Sequence, residues 1–380
     1  MSRPGDAERV GVMQLIDTLD AGGAERVAVN LANLLPRERY RSYLCTTRRD
    51  GALADLVEPD VIRLCLNRRS RGDLGAIRRL AGFLCANDIR ILQAHSTSLF
   101  VARAAALASP RTAILWHDHY GAGQVRPTWL YGPAAWKIAG VIAVNEALAR
   151  WSRERLCVPA NRVHYVPNFI DFELDGGATA PDLPGSRGAR IVCVANLRPL
   201  KDHPTLLAAM GNVAGQAPAA HLILVGDGNP EYRESLRRKA EERGLSDRVT
   251  LLGQRPDVPA ILRGCDVGVL ASRAEGLPLA LLEYGMAGLP TVATRVGQCP
   301  DVLDNGQAGL LVEPGDPHSL AEALLTLLGS PAQRAELGTR LRQRVQQHHD
   351  ARAILGQIGA IYDQVLASRG ADRTAISSPQ

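Results

Sequence analysis

Two glutamates eight positions apart, Glu275 and Glu283, bracket the start of a predicted helix within residues 267–297. This stretch reads as strand, polar loop, helix and second strand, with Pro278 near the first helical turn, where a missing N–H costs nothing. Unbonded N–H groups at the start of a helix, together with the positive end of its dipole, attract an anion. Each carboxylate can accept hydrogen bonds from the hydroxyl groups of a ligand. An anion with a hydroxyl-rich group on each side suggests the diphosphate of a nucleotide sugar.

The backbone amides expected to face this anion belong to Gly276, Leu277 and Leu279, beside Pro278. The alternative is structural: Glu283 on a solvated helix face and Glu275 as a first-turn partner of the dipole. The spacing alone is weak. Within SRAEGLPLALLEYGMAGLPTVAT, however, it resembles family 4 of the retaining glycosyltransferases, which have the GT-B fold.

The resemblance covers about residues 11–365. It implies an α/β protein of two facing Rossmann-like domains with the active cleft between them. The second domain would bind the nucleotide sugar and the first the acceptor, and the final helix would cross back to the first domain. The expected parts are residues 1–172 as the acceptor-binding domain, 173–187 as the linker, 188–350 as the donor-binding domain, 351–368 as the returning helix and 369–380 as a disordered tail.

The family's basic clamp on the donor diphosphate maps to the loop after the strand at 190–195. Lys201, in PLKDH, falls on the matching lysine. Many members have an arginine directly after a glycine, whereas this chain has Ala195-Asn196, with its arginine two residues later as Arg198. By resemblance, Lys201 neutralises the leaving diphosphate, Glu275 bonds the sugar hydroxyls and Glu283 bonds the ribose hydroxyls. Either Arg198 reaches the same diphosphate from its shifted position, or the clamp is weaker than in those members.

Several further loops are expected to line the donor site. Gly22 and Gly23 form a turn between a strand and a helix, where a backbone can approach phosphate closely; Glu25 is expected to be structural. By resemblance the remaining donor-binding residues are Asn196, Gly226, Gln254 and Arg255. Gly-rich loops in isolation also suggest a dinucleotide site, but the chain contains no GxGxxG.

Polar residues follow three predicted strands of the first half. His95 follows ILQA, and His117-Asp118-His119 follows AILW. The resemblance places His117 beside the donor sugar and makes His95, His119 and Asn145 candidates for acceptor binding; the alternative for each histidine is a buried structural residue. A metal site from His117 and His119 is a further alternative, but no DxD stretch accompanies them, and the fold that the chain resembles usually works without metal. No metal and no cofactor are therefore expected.

Composition limits the remaining possibilities. No apolar run reaches membrane-spanning length, no signal peptide is evident, and the seven cysteines lack metal-ligand spacing, as in a reduced cytoplasmic protein. The net charge is +5, and its surplus lies in the first half of the chain. Candidates for peripheral contact with an anionic inner membrane face are Arg63, Arg68, Arg69, Arg71, Arg78 and Arg79. Their alternative is a solvated face.

A second candidate for membrane contact is the group of Trp129, Tyr131 and Trp136 beside Lys137, for which helix packing is the alternative.

The leading hypothesis is a retaining, metal-independent glycosyltransferase. It would use a nucleotide-diphosphate sugar, UDP-linked by preference, and a glycan or lipid-linked acceptor of cell-surface polysaccharide or glycolipid synthesis, with no role in nucleic-acid binding. The alternatives are transfer to a small soluble acceptor, and a non-catalytic nucleotide-sugar-binding or GT-B epimerase-like protein. Whether Glu275 acts as a nucleophile or positions the sugar stays open, with positioning preferred.

Overall fold

A computed structural model describes residues 9–20, 22–120, 126–170 and 181–376 of the chain. These residues form two compact units. The first holds residues 9–20, 22–120, 126–168 and 351–376, and the second holds 169–170 and 181–350. Most of the predicted linker lies outside the described residues, which resume at 181.

The first unit is built on a seven-stranded parallel sheet. Its strands β1 to β7 span Val10–Thr18, Tyr40–Arg49, Ile62–Cys65, Ile89–His95, Ala113–Asp118, Gly140–Ala143 and Val163–Tyr165. They lie in the order β3-β2-β1-β4-β5-β6-β7, so the direction of the strand order reverses between β1 and β4. In doubly wound sheets ligands bind at the carboxyl ends of the strands beside this reversal.

Helices cover this sheet. Helices α1 to α5 span Gly23–Leu34, Leu74–Ala86, Leu99–Ala106, Thr128–Ala135 and Glu146–Glu154, and the long C-terminal helix α13 spans Ala351–Ile376. The central strands are buried on both faces and mostly apolar, as expected for a covered parallel sheet. Gln14 and Gln93 are exceptions, because both are polar and fully buried in adjacent strands.

The second unit repeats the design with a six-stranded parallel sheet. Strands β8 to β13 span Arg190–Val194, His221–Val225, Val249–Gly253, Val267–Leu270, Thr291–Thr294 and Leu310–Val312. Their order is β10-β9-β8-β11-β12-β13, which puts the reversal between β8 and β11. The helices α6 to α12 span His203–Gln216, Pro230–Glu241, Val258–Arg263, Leu279–Ala287, Cys299–Val302, Pro317–Gly329 and Pro331–His348.

Local sequence signals explain several helix ends. Asp316 accepts from the amides of His318 and Ser319 at the start of α11, and proline occupies its first turn. Gly288 ends α9 in the left-handed region, at φ +67°, a conformation open to glycine at little cost. The predicted strand–loop–helix–strand order of residues 267–297 is therefore present as β11, α9 and β12.

Helix α13 is an integral part of the first unit. The Tyr362 side chain is fully buried, its ring meets Tyr40 edge-on at 5.7 Å between centroids, and Asp363 pairs with Arg39 at 2.7 Å. The helix continues to Ile376, past residue 368, where the sequence analysis places the start of a disordered tail. None of the helices in the described ranges is both long and apolar enough to cross a membrane.

Candidate functional site

The loops after β8 and β11, the two strands beside the reversal in the second unit, are joined by a buried ion pair. Lys201 donates from Nζ to Glu275 Oε1 at 2.5 Å, and Ser272 Oγ donates to the same oxygen at 2.6 Å. The Glu275 side chain is 9% exposed and that of Lys201 24%. Because an ammonium has three N–H donors, this bond leaves Lys201 two others for a ligand. The structure thus brings together two residues that the sequence places 74 positions apart.

A second ion pair holds the same two loops together. Asp202, which is buried and left-handed at φ +47°, accepts from Arg273 Nε at 2.8 Å and from Thr205 Oγ1 at 2.8 Å. The backbone N–H of Arg273 also donates to the carbonyl of Leu200 at 2.8 Å. The position of Lys201 relative to Glu275 is therefore fixed on both sides of the pair.

The loop after β12 forms the third side of this site. Gln298 donates its backbone N–H to the carbonyl of Gly276 at 3.0 Å. Gly297 has φ +52°, and a Cβ there would lie 2.1 Å from the carbonyl oxygen of Glu275. The Gln298 Oε1 atom is buried without a hydrogen-bond partner among the described residues. An unmatched acceptor next to the Glu275 loop suits a ligand with N–H or O–H donors.

The start of α9 lacks a side-chain cap. Its N-cap is Pro278, with no hydrogen bond from a capping side chain, so no side chain competes with a ligand there. Leu277 is buried in the apolar core, which restricts any contact with a ligand to its backbone. Gly276 and Leu279 flank it, and Glu283 is half-buried in the second turn of α9.

The other predicted donor-binding residues differ in their surroundings. Arg198 and Gln254 are exposed, and Asn196 is half-buried. A Cβ on Gly226 would lie 2.1 Å from the carbonyl oxygen of Ala195, so a close approach between two loops requires glycine there. Arg255 is committed to a two-bond ion pair with Asp257, at 2.7 and 2.6 Å. A donor contact from the Arg255 guanidinium therefore requires this pair to open.

His203, at the start of α6, is a buried residue that sequence reasoning missed. It is 1% exposed, and neither ring nitrogen has a hydrogen-bond partner among the described residues. Burial, aided by the neighbouring charge of Lys201, lowers the pKa of His203 to about 4. The ring is therefore neutral at pH 7.

In the first unit a polar network occupies the carboxyl ends of β1, β4 and β5, again at the reversal. His95 bonds Gln14 Oε1 through Nε2 at 2.9 Å and His119 Nε2 through Nδ1 at 2.8 Å. Gln93 Nε2 bonds His117 Nδ1 at 2.8 Å. Both ring nitrogens of His95 are thus used within the chain, so His95 holds His119 in place, whereas the sequence had made it a ligand-binding candidate.

Among the described residues, three histidines of this network are close enough together to hold a metal ion. His95, His117 and His119 each place a ring nitrogen within 4.8 Å of the others. However, the 2.8 Å bond between His95 and His119 uses a nitrogen of each, and Asp118 is paired with Arg126 at 2.7 Å. A metal would have to displace these bonds. Metal independence stays a prediction.

An aromatic cage lies beside the histidines. Arg126 lies over the rings of Trp116, Tyr120, Tyr131 and Trp151, the last at 3.8 Å from its centroid. Its partner Asp118 is fully buried, and burial raises the pKa of that carboxyl against the lowering effect of Arg126. The pair fixes the end of β5, which carries His117.

At the end of β1, Gly22 precedes α1, which begins at Gly23. A Cβ on Gly22 would lie 2.1 Å from Glu25 Oε2, so the Glu25 carboxylate covers this glycine in the first turn of the helix. The arrangement agrees with the structural role predicted for Glu25. It also means that a phosphate at Gly22 has to approach beside a carboxylate.

The structure bears on two expectations for the first unit. Asn145 is the N-cap of α5: it is buried, and its Oδ1 accepts from the amide of Leu148 at 2.8 Å. Capping uses only this oxygen, so acceptor binding through the Asn145 side-chain NH₂ stays a prediction. Arg68 was a candidate for membrane contact, but its side chain is 8% exposed and pairs with Asp17 at 3.3 Å. Arg63 pairs with Asp50, and Arg79 donates to a backbone carbonyl, both at 2.5 Å. The exposed members without such bonds are Arg69, Arg71 and Arg78.

Comparison with known proteins matches both units. Residues 21–174 match the family model Glycosyltransferase Family 4, and residues 188–330 match Glycosyl transferases group 1. N-acetyl-alpha-D-glucosaminyl L-malate synthase of Bacillus anthracis is 31% identical over 231 residues, covering 60% of each chain. UDP-Gal:alpha-D-GlcNAc-diphosphoundecaprenol alpha-1,3-galactosyltransferase of Escherichia coli is 26% identical over 343 residues, 83% of this chain and 87% of that protein.

Several relatives are matched over only part of their length. The chain spans 45% to 60% of the first curated relatives, which include a GDP-mannose-dependent mannosyltransferase of Mycobacterium tuberculosis at 31% identity over 185 residues. Among solved structures, Anabaena HepE in complex with UDP and glucose superposes with a TM-score of 0.80 at 21% identity, covering 94% of this chain and all of that one. This likeness confirms the predicted fold, GT-B.

Proposed function

Because the chain belongs to family 4 of the glycosyltransferases, we propose that it is a retaining enzyme that transfers a sugar from a UDP-sugar to a hydroxyl of a glycan or lipid-linked acceptor. The observation that carries the proposal is the Lys201–Glu275 ion pair at the strand-order reversal of the second unit. A cation for the diphosphate and a carboxylate for the sugar hydroxyls stand together there, beside the uncapped start of α9.

UDP is the preferred nucleotide on the basis of the relatives. The Anabaena structure contains UDP and glucose, and the Escherichia coli relative is named for UDP-Gal. The mycobacterial relative is named as GDP-mannose-dependent, which makes GDP-mannose the competing donor.

In the proposed reaction the acceptor oxygen bonds to the anomeric carbon on the face from which the diphosphate leaves. The bond from that carbon to the diphosphate oxygen breaks, and the acceptor proton passes to a leaving phosphate oxygen. Lys201 and Arg198 stabilise the negative charge that develops on the diphosphate. This assignment does not require a protein nucleophile or a metal.

We assign Glu275 to positioning the sugar, and two contacts support this. Its Oε1 accepts from both an ammonium and a hydroxyl, and such bonds stabilise the carboxylate and weaken it as a nucleophile. They also fix the side chain in one orientation. Glu283 is assigned to the ribose hydroxyls and His117 to a hydroxyl of the donor sugar.

A lipid-linked acceptor is supported by an exposed apolar group in the first unit. Trp129 and Trp136 are 76% and 64% exposed, and Lys137 Nζ lies 4.4 Å from the centroid of the Trp136 ring. Tryptophan and lysine together favour a membrane interface. Tyr131 belongs to the buried core instead. A small soluble acceptor is the second candidate, favoured by the Bacillus anthracis relative, which is named for L-malate.

The test is a transfer assay combined with calorimetric binding of UDP. We expect Glu275→Gln to lower transfer at least 100-fold with modest loss of UDP affinity, because the Glu275 carboxylate is assigned to the sugar hydroxyls and UDP carries no transferred sugar. We expect Lys201→Met to weaken UDP binding about 10- to 150-fold, since a hydrogen bond to a charged group contributes about 1.5–3 kcal/mol.

Lys239→Met in α7 is the matched control, because it removes a lysine from the same unit away from the site. It should bind UDP as the parent does. Parental transfer by Glu275→Gln together with parental UDP affinity in Lys201→Met would contradict the proposed site.

A further inference from the structure

The hydroxyl of Tyr362 joins two buried branches of hydrogen bonds in the first unit. It donates to Gln93 Oε1 at 2.5 Å and accepts from Gln14 Nε2 at 3.3 Å. All three side chains are fully buried. Gln93 leads to His117, and Gln14 leads through His95 to His119. A residue of the C-terminal helix is therefore linked to His117 and His119, two of the three histidines predicted to meet the substrates.

A phenol carries one O–H proton, so Tyr362 donates to one glutamine and accepts from the other. On the first branch Gln93 accepts through Oε1 and so donates through Nε2 to His117 Nδ1. A neutral imidazole carries a proton on one nitrogen only. His117 must then be protonated on Nε2, the nitrogen that no described residue bonds.

On the second branch the hydrogen bonds run in the opposite direction, towards Tyr362. Gln14 donates through Nε2 to Tyr362, and its Oε1 accepts from His95 Nε2. His95 then has a bare Nδ1, which accepts from His119 Nε2. The remaining nitrogen, His119 Nδ1, is a lone-pair acceptor, and it is buried without a partner among the described residues.

This opposition does not depend on how the glutamine amides are oriented. If both amides were rotated by 180°, every bond in the network would reverse, and His117 and His119 would exchange roles. Rotating only one amide would either face the Tyr362 hydroxyl with two acceptors, so that one bond is lost, or face it with two donors, so that its buried proton has no acceptor in the network. Each complete arrangement therefore gives one donor and one acceptor.

Burial keeps the network neutral. It lowers the pKa of His95 and His117 well below the ordinary value and that of His119 to about 3. All three rings are unprotonated on one nitrogen at pH 7. A base of such low pKa removes a hydroxyl proton poorly at neutral pH, so binding, not proton abstraction, is the role that remains for His119.

We propose that Tyr362 is a positioning residue that holds His117 Nε2 as a hydrogen-bond donor and His119 Nδ1 as an acceptor, so that the pair binds a sugar hydroxyl. The ring centroids of the two histidines are 4.1 Å apart. A hydroxyl both accepts and donates, whereas a phosphate only accepts and would leave His119 unsatisfied. The pair therefore selects a neutral, hydroxyl-bearing group. This ligand assignment rests on the proposed function, whereas the opposite characters of the rings do not.

The first test needs no substrate. In ¹⁵N-histidine-labelled full-length protein at pH 7, nitrogen shifts report which ring nitrogen carries the proton. We expect both His117 and His119 to be protonated on Nε2, which makes their unbonded nitrogens a donor and an acceptor; protonation of both on Nδ1 would preserve the opposition with roles exchanged. Protons on differently named nitrogens of the two rings would overturn the inference.

Tyr362→Phe tests whether the Tyr362 hydroxyl sets the direction of the hydrogen bonds and thereby the histidine tautomers. Tyr40→Phe is its matched control. The Tyr40 ring contacts Tyr362, and its hydroxyl is buried without a hydrogen-bond partner among the described residues. We expect Tyr362→Phe to give a second tautomer in at least one of the two histidines, and Tyr40→Phe to leave the pattern unchanged. An unchanged pattern in folded Tyr362→Phe would refute the role of Tyr362.

Transfer from UDP-glucose provides the activity measurement. We expect Tyr362→Phe to lower kcat/KM about tenfold and Tyr40→Phe to leave it at the parental value. Equal kcat/KM in both variants would overturn the substrate-binding role. If the parent transfers no sugar from UDP-, GDP-, ADP- or dTDP-sugars, the proposed function fails, while the tautomer pattern still decides whether Tyr362 sets the two rings.

Discussion

Gly297 offers the sharpest structural test of the Glu275 loop. Its φ of +52° lies in the left-handed region, and an added Cβ would stand 2.1 Å from the Glu275 carbonyl oxygen and 2.8 Å from that of Gly276. Both neighbours are backbone atoms, so rotation of a side chain cannot relieve the contact. Gly297→Ala must therefore move the loop that carries Glu275.

The size of the movement follows from the geometry. An ordinary van der Waals contact begins at 3.4 Å, so the Glu275 carbonyl oxygen, at 2.1 Å from the added Cβ, must move away by about 1.3 Å. A misplacement of about 1 Å in an active site can lower a rate about 100-fold. We expect Gly297→Ala to lower sugar transfer by at least that factor. The left-handed backbone adds a cost in folding free energy of about 1–2 kcal/mol.

Gly244→Ala separates these two effects. Gly244 also has a positive φ, +65°, but a Cβ there meets no atom within 4 Å. Urea unfolding should show the backbone cost in both variants and a further loss in Gly297→Ala. Initial transfer rates should fall in Gly297→Ala alone. Equal rates in the two variants would refute the claim that the Glu275 loop must stay where it is.

Two further predictions concern buried charge. The pKa of His203 is about 4 in the folded chain and about 6.5 when unfolded, so the unfolded chain binds more protons between these values. Stability is therefore fully present above pH 6.5 and falls as pH drops towards 4; urea unfolding should show a loss of up to about 3 kcal/mol from this group, smaller in His203→Leu. Asp118→Asn leaves buried Arg126 without its carboxylate and should cost about 3–5 kcal/mol in the free energy of unfolding. Asp60→Asn, from an exposed pair with Arg37, should cost about 0–1 kcal/mol, and equal losses in these two variants would contradict the role of burial.

Much of the proposed donor site is predictable from the sequence because its signals are local. The order of β11, α9 and β12 follows from apolar runs separated by a polar loop, and the uncapped start of α9 follows from Pro278. A resemblance also located Lys201. That Lys201 bonds Glu275, with Ser272 as a second donor, is not local information, because it depends on the pairing of β8 with β11.

The sequence predicts only part of the polar network in the first unit. Its histidines are candidate site residues because they directly follow apolar strands. Gln14 and Gln93 are a further signal in the sequence, since a polar residue within a buried run needs an internal hydrogen-bond partner. Tyr362 could not be connected with them from the sequence, because its contact with Gln14 spans 348 positions. The sequence does not distinguish a ligand-binding Asn145 from an N-cap, because a polar residue at a strand end fits both.

The site around Lys201 and Glu275 is proposed to bind a nucleotide sugar. The most direct measurement is thermal unfolding of the parent and Lys201→Met with UDP-, GDP-, ADP- and dTDP-sugars and the free diphosphates. A ligand at about 100 times its dissociation constant adds about 2.7 kcal/mol of stability. We predict that UDP and UDP-sugars raise the melting temperature of the parent above all other nucleotides and that Lys201→Met loses most of the shift. No shift with any nucleotide at millimolar concentration, or an equal shift in Lys201→Met, would contradict the claim.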